Sequence, residues 1–258
     1  MDISEIKHFF FDLDKTVWNW NEPVIEADKT IRNLKERGKR VKFYTDNTLL
    51  TREEYAKKLT KMNIPAEKED ILTSGYVTGR MLAKKNKNKV YTIGEQSLIR
   101  ELEEHDIEVT KNTNTLVNGF DRKFNYQTLK QAKKILDTNG SQLINCSRER
   151  VFRNTKEKKP HQEPMNRALS TYATNTKLTG KPGKRFRETF RNYFTYLPEK
   201  SLLVGDNLDD IQIGNELGIK TGIVMSGDTD KEELKKAEEN RKPDIGLNSL
   251  TRLQKKLL

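Results

Sequence analysis

The feature that most constrains this chain is an alternation of short apolar runs, each breaking abruptly into polar residues, with longer amphipathic stretches. From Ile6 to Phe11 the chain is apolar and aromatic, then turns polar over Asp12, Leu13, Asp14, Lys15 and Thr16. A buried strand of a parallel sheet ends in this way. Pro23 to Arg37 carries apolar residues at Val24, Ile25, Ile31 and Leu34 and closes at Gly38, which predicts a helix with a glycine cap. The run RVKFYT ending at Thr45 predicts a second strand, and Thr51 with Glu54 forms a capping box before another amphipathic helix. Strand, helix, strand, helix predicts an α/β fold built on a doubly wound parallel sheet.

Between residues 80 and 178 the alternation restarts. KVYTIG and a helix from Gln96 to His105 are followed by TLVNGF and a helix from Tyr126 to Asn139, then by the strand QLINCS. The polar, basic stretch after it predicts a long exposed loop, with a helix near Met165 to Ala173 beyond. The first pattern then returns with KRFRETFRNYF, the strand SLLVGD, a helix from Asp209 to Leu217, the strand KTGIVMSG and a helix near Leu250 to Leu257. The middle segment is therefore expected to be an α/β domain, residues 80–178, inserted into a core domain formed by 1–79 and 179–258.

A chain of 258 residues can bury a core without covalent staples, and its single cysteine, Cys146, excludes an intramolecular disulfide. A reducing cytoplasm suits it, since no signal-peptide pattern or membrane-length apolar run appears. The formal charge of +11 favours anionic partners. It is concentrated in residues 80–178, where 20 Lys+Arg face 11 Asp+Glu, against 29 and 27 in the remainder. A lysine-rich solvated surface is the bland explanation.

Asp12 and Asp14 stand two apart at the carboxyl end of the first strand, the end where open α/β sheets bind ligands. Two close carboxylates repel and call for a cation. Alone, such a pair is a weak signal. Three further polar clusters follow, each ending or following a predicted strand. Thr45 offers a hydroxyl, and the amides of Asp46 and Asn47 offer a small anion nest. Lys181 is fixed between Gly180 and Pro182 and supplies a compact charge suited to a phosphoryl group. Asp206 ends SLLVG, with Asp209 and Asp210 close behind, a carboxylate group suited to a hard cation. Each has an ordinary alternative, as helix cap, surface lysine or acidic helix start, but those alternatives do not explain why all four accompany strands of one sheet.

In FFFDLDKTVW, FYTDN, GKPGKRF and LLVGDNLDD the chain resembles the four ordered motifs of the haloacid dehalogenase superfamily. The insertion between the second and third motifs, together with TDNTLLTR and NGFDRKFNYQTLKQA, resembles class IIA, the NagD-like and p-nitrophenyl phosphatase-like group. The resemblance implies a Rossmann-like core with an α/β cap and a magnesium-dependent phosphatase. Asp12 would be the nucleophile and Asp14 the general acid and base. Asp12, the backbone carbonyl of Asp14, Asp206 and Asp210 would hold the metal, and Thr45, Asp46, Asn47 and Lys181 would bind phosphate. The substrate it implies is a small phosphorylated metabolite, and a homodimer through the cap rests on the resemblance alone. Lys15 stands where class IIA commonly has glycine, and Asp46 where it has asparagine.

The cap loop departs most, with NCSRE and KKPHQEPMNR replacing the group's usual turn and glycine-rich stretch. Its arginines, Arg148, Arg150 and Arg153, are candidates for binding a second anionic group on the substrate through bidentate contacts. Trp18 and Trp20 fit packing better than lining an entrance. His8, His105 and His161 share no metal-binding spacing, and Cys146 fits a packed cap strand. Two rivals are distinguishable by experiment. A phosphotransferase or mutase on the same scaffold would pass phosphate to an added alcohol. A nucleic-acid-binding protein would show strongly salt-dependent affinity, although the cap lacks interleaved aromatic and basic residues.

Overall fold

Three consecutive phenylalanines can all be buried only where a strand is covered on both faces. A computed structural model, describing residues 3–19, 22–152, 159–225, 229 and 231–255, places Phe9, Phe10 and Phe11 in the strand His8–Asp12, buried along its whole length. Phe9 and Phe11 share one face with ring centroids 6.3 Å apart. Phe10 on the other face meets Phe190 at 4.8 Å, Tyr196 at 5.3 Å and Phe194 at 5.4 Å.

That strand lies within a six-stranded sheet ordered Ile245–Leu247, Lys220–Val224, Ser201–Gly205, His8–Asp12, Arg40–Thr45, Ile71–Thr73. The five from Ile245–Leu247 to Arg40–Thr45 run parallel. Numbered along the chain, the strands lie in the order 3-2-1-4-5-6, the doubly wound arrangement. Its order reverses between His8–Asp12 and Ser201–Gly205, the point at which open sheets of this kind bind ligands at the strand ends. The sheet belongs to a compact unit of residues 1–45, 53–72 and 190–258. Its helix Ala27–Glu36 starts later than the sequence pattern predicts, because a short strand pair, Trp18–Asn19 with Glu22–Pro23, takes up the preceding residues. The helix ends at Gly38, whose φ of 72° lets Lys39 N–H reach the Leu34 carbonyl.

The second compact unit comprises residues 46–52 and 73–189 and contains the whole segment 80–178. Its five-stranded sheet runs Thr176–Leu178, Gln142–Asn145, Thr115–Asn118, Lys89–Ile93, Glu108–Val109, all parallel. One apolar cluster packs Leu82, Leu98 and Leu102 against Val117, Ile144 and Cys146, and another packs Ile135, Leu136 and Leu169 against Ile93, Leu116 and Leu143. Burial pushes the Cys146 thiol up to about 11, as suits a packing residue. Within the loop predicted after QLINCS, Val151–Phe152 pairs antiparallel with Lys159–Pro160. No helix among the described residues is long and apolar enough to cross a membrane.

Candidate active site

Asp12 closes its strand at the sheet's reversal point, and Asp206 follows directly on the neighbouring strand Ser201–Gly205. The helix Leu208–Leu217 begins two residues later and fixes the third carboxylate. Asn207 caps it, its Oδ1 accepting from the N–H groups of Asp209 at 2.9 Å and Asp210 at 3.1 Å. Asp210 returns the bond, Oδ2 accepting from Asn207 N–H at 3.3 Å. A Cβ on Gly205 would run into the Asp210 carboxyl group, so only glycine lets the strand end lie this close to the helix. Carboxylate oxygens of Asp12, Asp206 and Asp210 thereby come within 4.8 Å of one another, all three residues buried. Three buried like charges at that spacing need a compensating cation, and an all-oxygen donor set fits magnesium.

Asp14 is not part of that carboxylate group. Its Oδ1 accepts a hydrogen bond from the indole Nε1 of Trp18 at 2.9 Å. Trp18 is fully buried, stacked on Tyr55 at 5.9 Å with Lys58 Nζ 4.2 Å from its ring. Packing is therefore part of its work, and orienting Asp14 is the rest. Lys15 N–H donates to the Trp18 carbonyl at 2.7 Å, closing the turn, with Lys15 at φ 65°. That left-handed backbone explains why glycine suits the position. Trp20 lies outside the described residues. Asp209 points elsewhere, ion-paired with Arg241. Thr45 ends the strand Arg40–Thr45, one residue beyond the level of Asp12, since Asp12 pairs in register with Tyr44.

The remaining phosphate-site candidates belong to the second unit. Asp46 is buried, with Oδ1 3.9 Å from Lys181 Nζ, and its carbonyl accepts from the Ser74 hydroxyl at 2.8 Å. Burial pushes the Asp46 carboxyl up to about 7 and Glu149 adds to this, while Lys181, the Ser147 hydroxyl and His161 oppose it. Asn47 Oδ1 accepts from Leu49 N–H at 3.0 Å, bracing the turn. Lys181 is buried too, on a turn closed by Gly183 N–H to the Gly180 carbonyl at 2.8 Å. Gly180 is pressed so closely on the Cys146 carbonyl that no Cβ fits. In the cap loop Arg148 and Arg150 are exposed, Glu149 between them is half-buried, and Arg153 lies outside the described residues.

Residues 9–108 match the family model of the haloacid dehalogenase-like hydrolases, and 178–253 match a second, HAD-hydrolase-like model. The chain belongs to the haloacid dehalogenase-like hydrolases. It is 29% identical over 260 residues to a 5'-nucleotidase, YutF, of Bacillus subtilis, covering 95% of this chain and 96% of that one. The crystal structure of a 4-nitrophenylphosphatase from Thermotoga maritima superposes with a TM-score of 0.89 at 25% identity, covering 100% of both chains. NagD from E. coli K-12 shares the fold, with a TM-score of 0.83 at 22% identity over 95% of this chain and 97% of that one. This hydrolase thus sits in the NagD-like and p-nitrophenyl phosphatase-like branch, class IIA.

Two contributors escaped the sequence reading of this haloacid dehalogenase-like hydrolase. Trp18 gave a signal only through its spacing of four from Asp14, which a tight turn can convert into contact. His161 lies in the stretch that departs from the class IIA pattern, where no spacing indicated that it would meet Glu149.

Proposed function

We propose that the protein is a magnesium-dependent phosphomonoesterase acting on a small phosphorylated metabolite through an aspartyl-phosphate intermediate. The observation that carries this reading is the buried group Asp12, Asp206 and Asp210 at the sheet's reversal point. In the first step a carboxylate oxygen of Asp12 bonds to phosphorus, the phosphorus–ester oxygen bond breaks, and Asp14 gives its proton to the departing alcohol. In the second, Asp14 takes a proton from water as the water oxygen attacks phosphorus, releasing inorganic phosphate and regenerating Asp12. Thr45 and Lys181 hold the phosphoryl oxygens, with backbone N–H groups of Asp46 and Asn47 as further donors. Asp12, Asp206, Asp210 and the Asp14 carbonyl would hold magnesium, which when bound supplies charge neutralisation for the carboxylates and the phosphoryl group.

The test is hydrolysis of 4-nitrophenyl phosphate across a magnesium titration, with Asp12→Asn as control and acid quenching to trap acyl phosphate. We expect metal-dependent turnover, a trapped phosphoenzyme in the wild type, and a loss of at least about 10³-fold in Asp12→Asn. Turnover surviving that substitution would refute the mechanism.

A further inference from the structure

The cap loop was expected to present arginines to the substrate, yet its backbone turns a different side chain inward. Glu149 N–H donates to the Ser147 hydroxyl at 3.1 Å, the Glu149 carbonyl accepts from Glu163 N–H at 2.8 Å, and the Arg150 carbonyl accepts from His161 N–H at 2.9 Å. So pinned, the loop exposes Arg148 and Arg150 and brings Glu149 Oε2 to 3.4 Å from His161 Nε2. His161 is 1% exposed and lies parallel to Phe120, with ring centroids 4.7 Å apart. Both residues act electrostatically on Asp46, itself 3.9 Å from Lys181. A cavity of about 330 Å³ lies against His161, lined also by Phe120, Asp121, Arg122, Phe124 and Met165, with Arg122 paired to Glu95 at 2.8 Å. All these residues belong to one compact unit.

We infer that Glu149 and His161 are specificity-determining residues that select leaving groups bearing a hydrogen-bond donor, hydroxyl or ammonium, over those bearing a second anion. The inference rests on the phosphatase reading, which places phosphate at Lys181 and the Asp46 amide. A carboxylate on the leaving group would meet Glu149 in a partly desolvated setting, where like charges repel strongly. A hydroxyl or ammonium would instead donate to Glu149, whose carboxylate lies 3.4 Å from His161 Nε2. The exposed arginines contribute to the surrounding field but do not line this cluster.

Three size-matched esters separate the alternatives: 2-hydroxyethyl phosphate, O-phosphoethanolamine and phosphoglycolate, each assayed against 4-nitrophenyl phosphate as reference. We expect kcat/KM for the better of the first two to exceed that for phosphoglycolate by about tenfold or more, and Glu149→Gln and His161→Asn each to narrow the ratio to within about threefold. The hydroxyl and ammonium arms show which donor dominates, and either supports the inference. Arg150→Ala should leave the ratio unchanged. A wild-type preference for phosphoglycolate, or a ratio insensitive to Glu149→Gln, overturns it. If the wild type does not turn over 4-nitrophenyl phosphate, the phosphatase reading fails. Calorimetric binding of the same three esters to wild type and Glu149→Gln still decides the selectivity: the same order supports it and a reversed or equal order defeats it.

Discussion

Asp14 is held by an indole, and this makes Trp18 the residue whose loss should be most instructive. In Trp18→Phe the stack on Tyr55 can persist while the bond to Asp14 Oδ1 disappears. On the proposed mechanism, in which Asp14 serves both chemical steps, kcat should fall about 10- to 100-fold, with phosphoenzyme accumulating as its hydrolysis slows. Acid-quench kinetics check this, and unchanged kcat would reduce Trp18 to packing. Asp46 gives a second residue-scale prediction. Burial raises its carboxyl from an ordinary 3.8 to about 7, so across that window the folded state holds a proton the unfolded chain has lost. Stability contributed by this group therefore falls as pH rises from about 4 to 7 and levels off above. Asp46→Asn should remove the slope, so that its Tm relative to wild type is higher at pH 8 than at pH 5. Thermal melts at the two pH values test it. The resemblance implied Asp12, Asp206 and Asp210 as one metal site, whereas the residue pattern alone paired Asp12 with Asp14 and gave Asp206, Asp209 and Asp210 as a separate cluster. That pattern could not separate Asp209 from Asp210, since only the helix turn decides which carboxylate faces Arg241 and which joins Asp12.

At the scale of elements, the helix start after Asn207 is what assembles the carboxylate group, so disturbing it should show first in metal binding. Gly205→Ala places a methyl against the Asp210 side chain, which must shift, and should weaken magnesium affinity about tenfold or more. The Tm gain on adding magnesium, together with calorimetric titration, measures the loss. An unchanged affinity would mean that Asp210 is not a ligand. In the second unit, Arg52 ties residues 46–52 to the helix Gln96–Glu103. Its guanidinium lies 3.4 Å from Glu101, 3.1 Å from Glu104 and 3.9 Å from the Tyr76 ring centroid. Glu101 is buried, and although it would keep the bonds from the Arg52 backbone N–H at 2.8 Å and the Thr73 hydroxyl at 3.1 Å, Arg52→Met removes its compensating charge and should cost about 3–5 kcal/mol in denaturant unfolding. Long periodic elements were legible beforehand: the helix Tyr126–Leu136 and the strands Arg40–Thr45 and Ser201–Gly205 fall where their patterns place them. Ile71–Thr73, Thr176–Leu178 and Ile245–Leu247 did not stand out, because three residues show no period. Ser74–Ala83 escaped for the opposite reason, since a helix buried on most sides has no polar stripe to mark it.

Across the whole molecule, the doubly wound sheet was legible from the alternation of strands and helices, and three of its strands, His8–Asp12, Arg40–Thr45 and Ser201–Gly205, end in or run into chemistry-bearing residues; Lys181, expected on the same sheet, instead follows Thr176–Leu178 of the other one. Charge is the other global property, and its placement gives it a functional reading. Residues 80–178 carry 20 Lys+Arg against 11 Asp+Glu, and among the described residues of the cap loop the half-buried Glu149 is acidic while Arg148 and Arg150 are exposed. Exposed cations of this kind do little for ground-state binding at short range but act on an approaching phosphate dianion over roughly a Debye length. The expected signature is kinetic. Raising ionic strength from about 0.02 to 0.5 M should lower kcat/KM for a phosphomonoester by about three- to tenfold while leaving kcat nearly constant. Arg148→Glu combined with Arg150→Glu should flatten that dependence. A kcat/KM indifferent to salt would leave the basic surface a solubility device, and tight salt-sensitive capture of oligonucleotides with negligible ester turnover would instead favour nucleic acid as its partner.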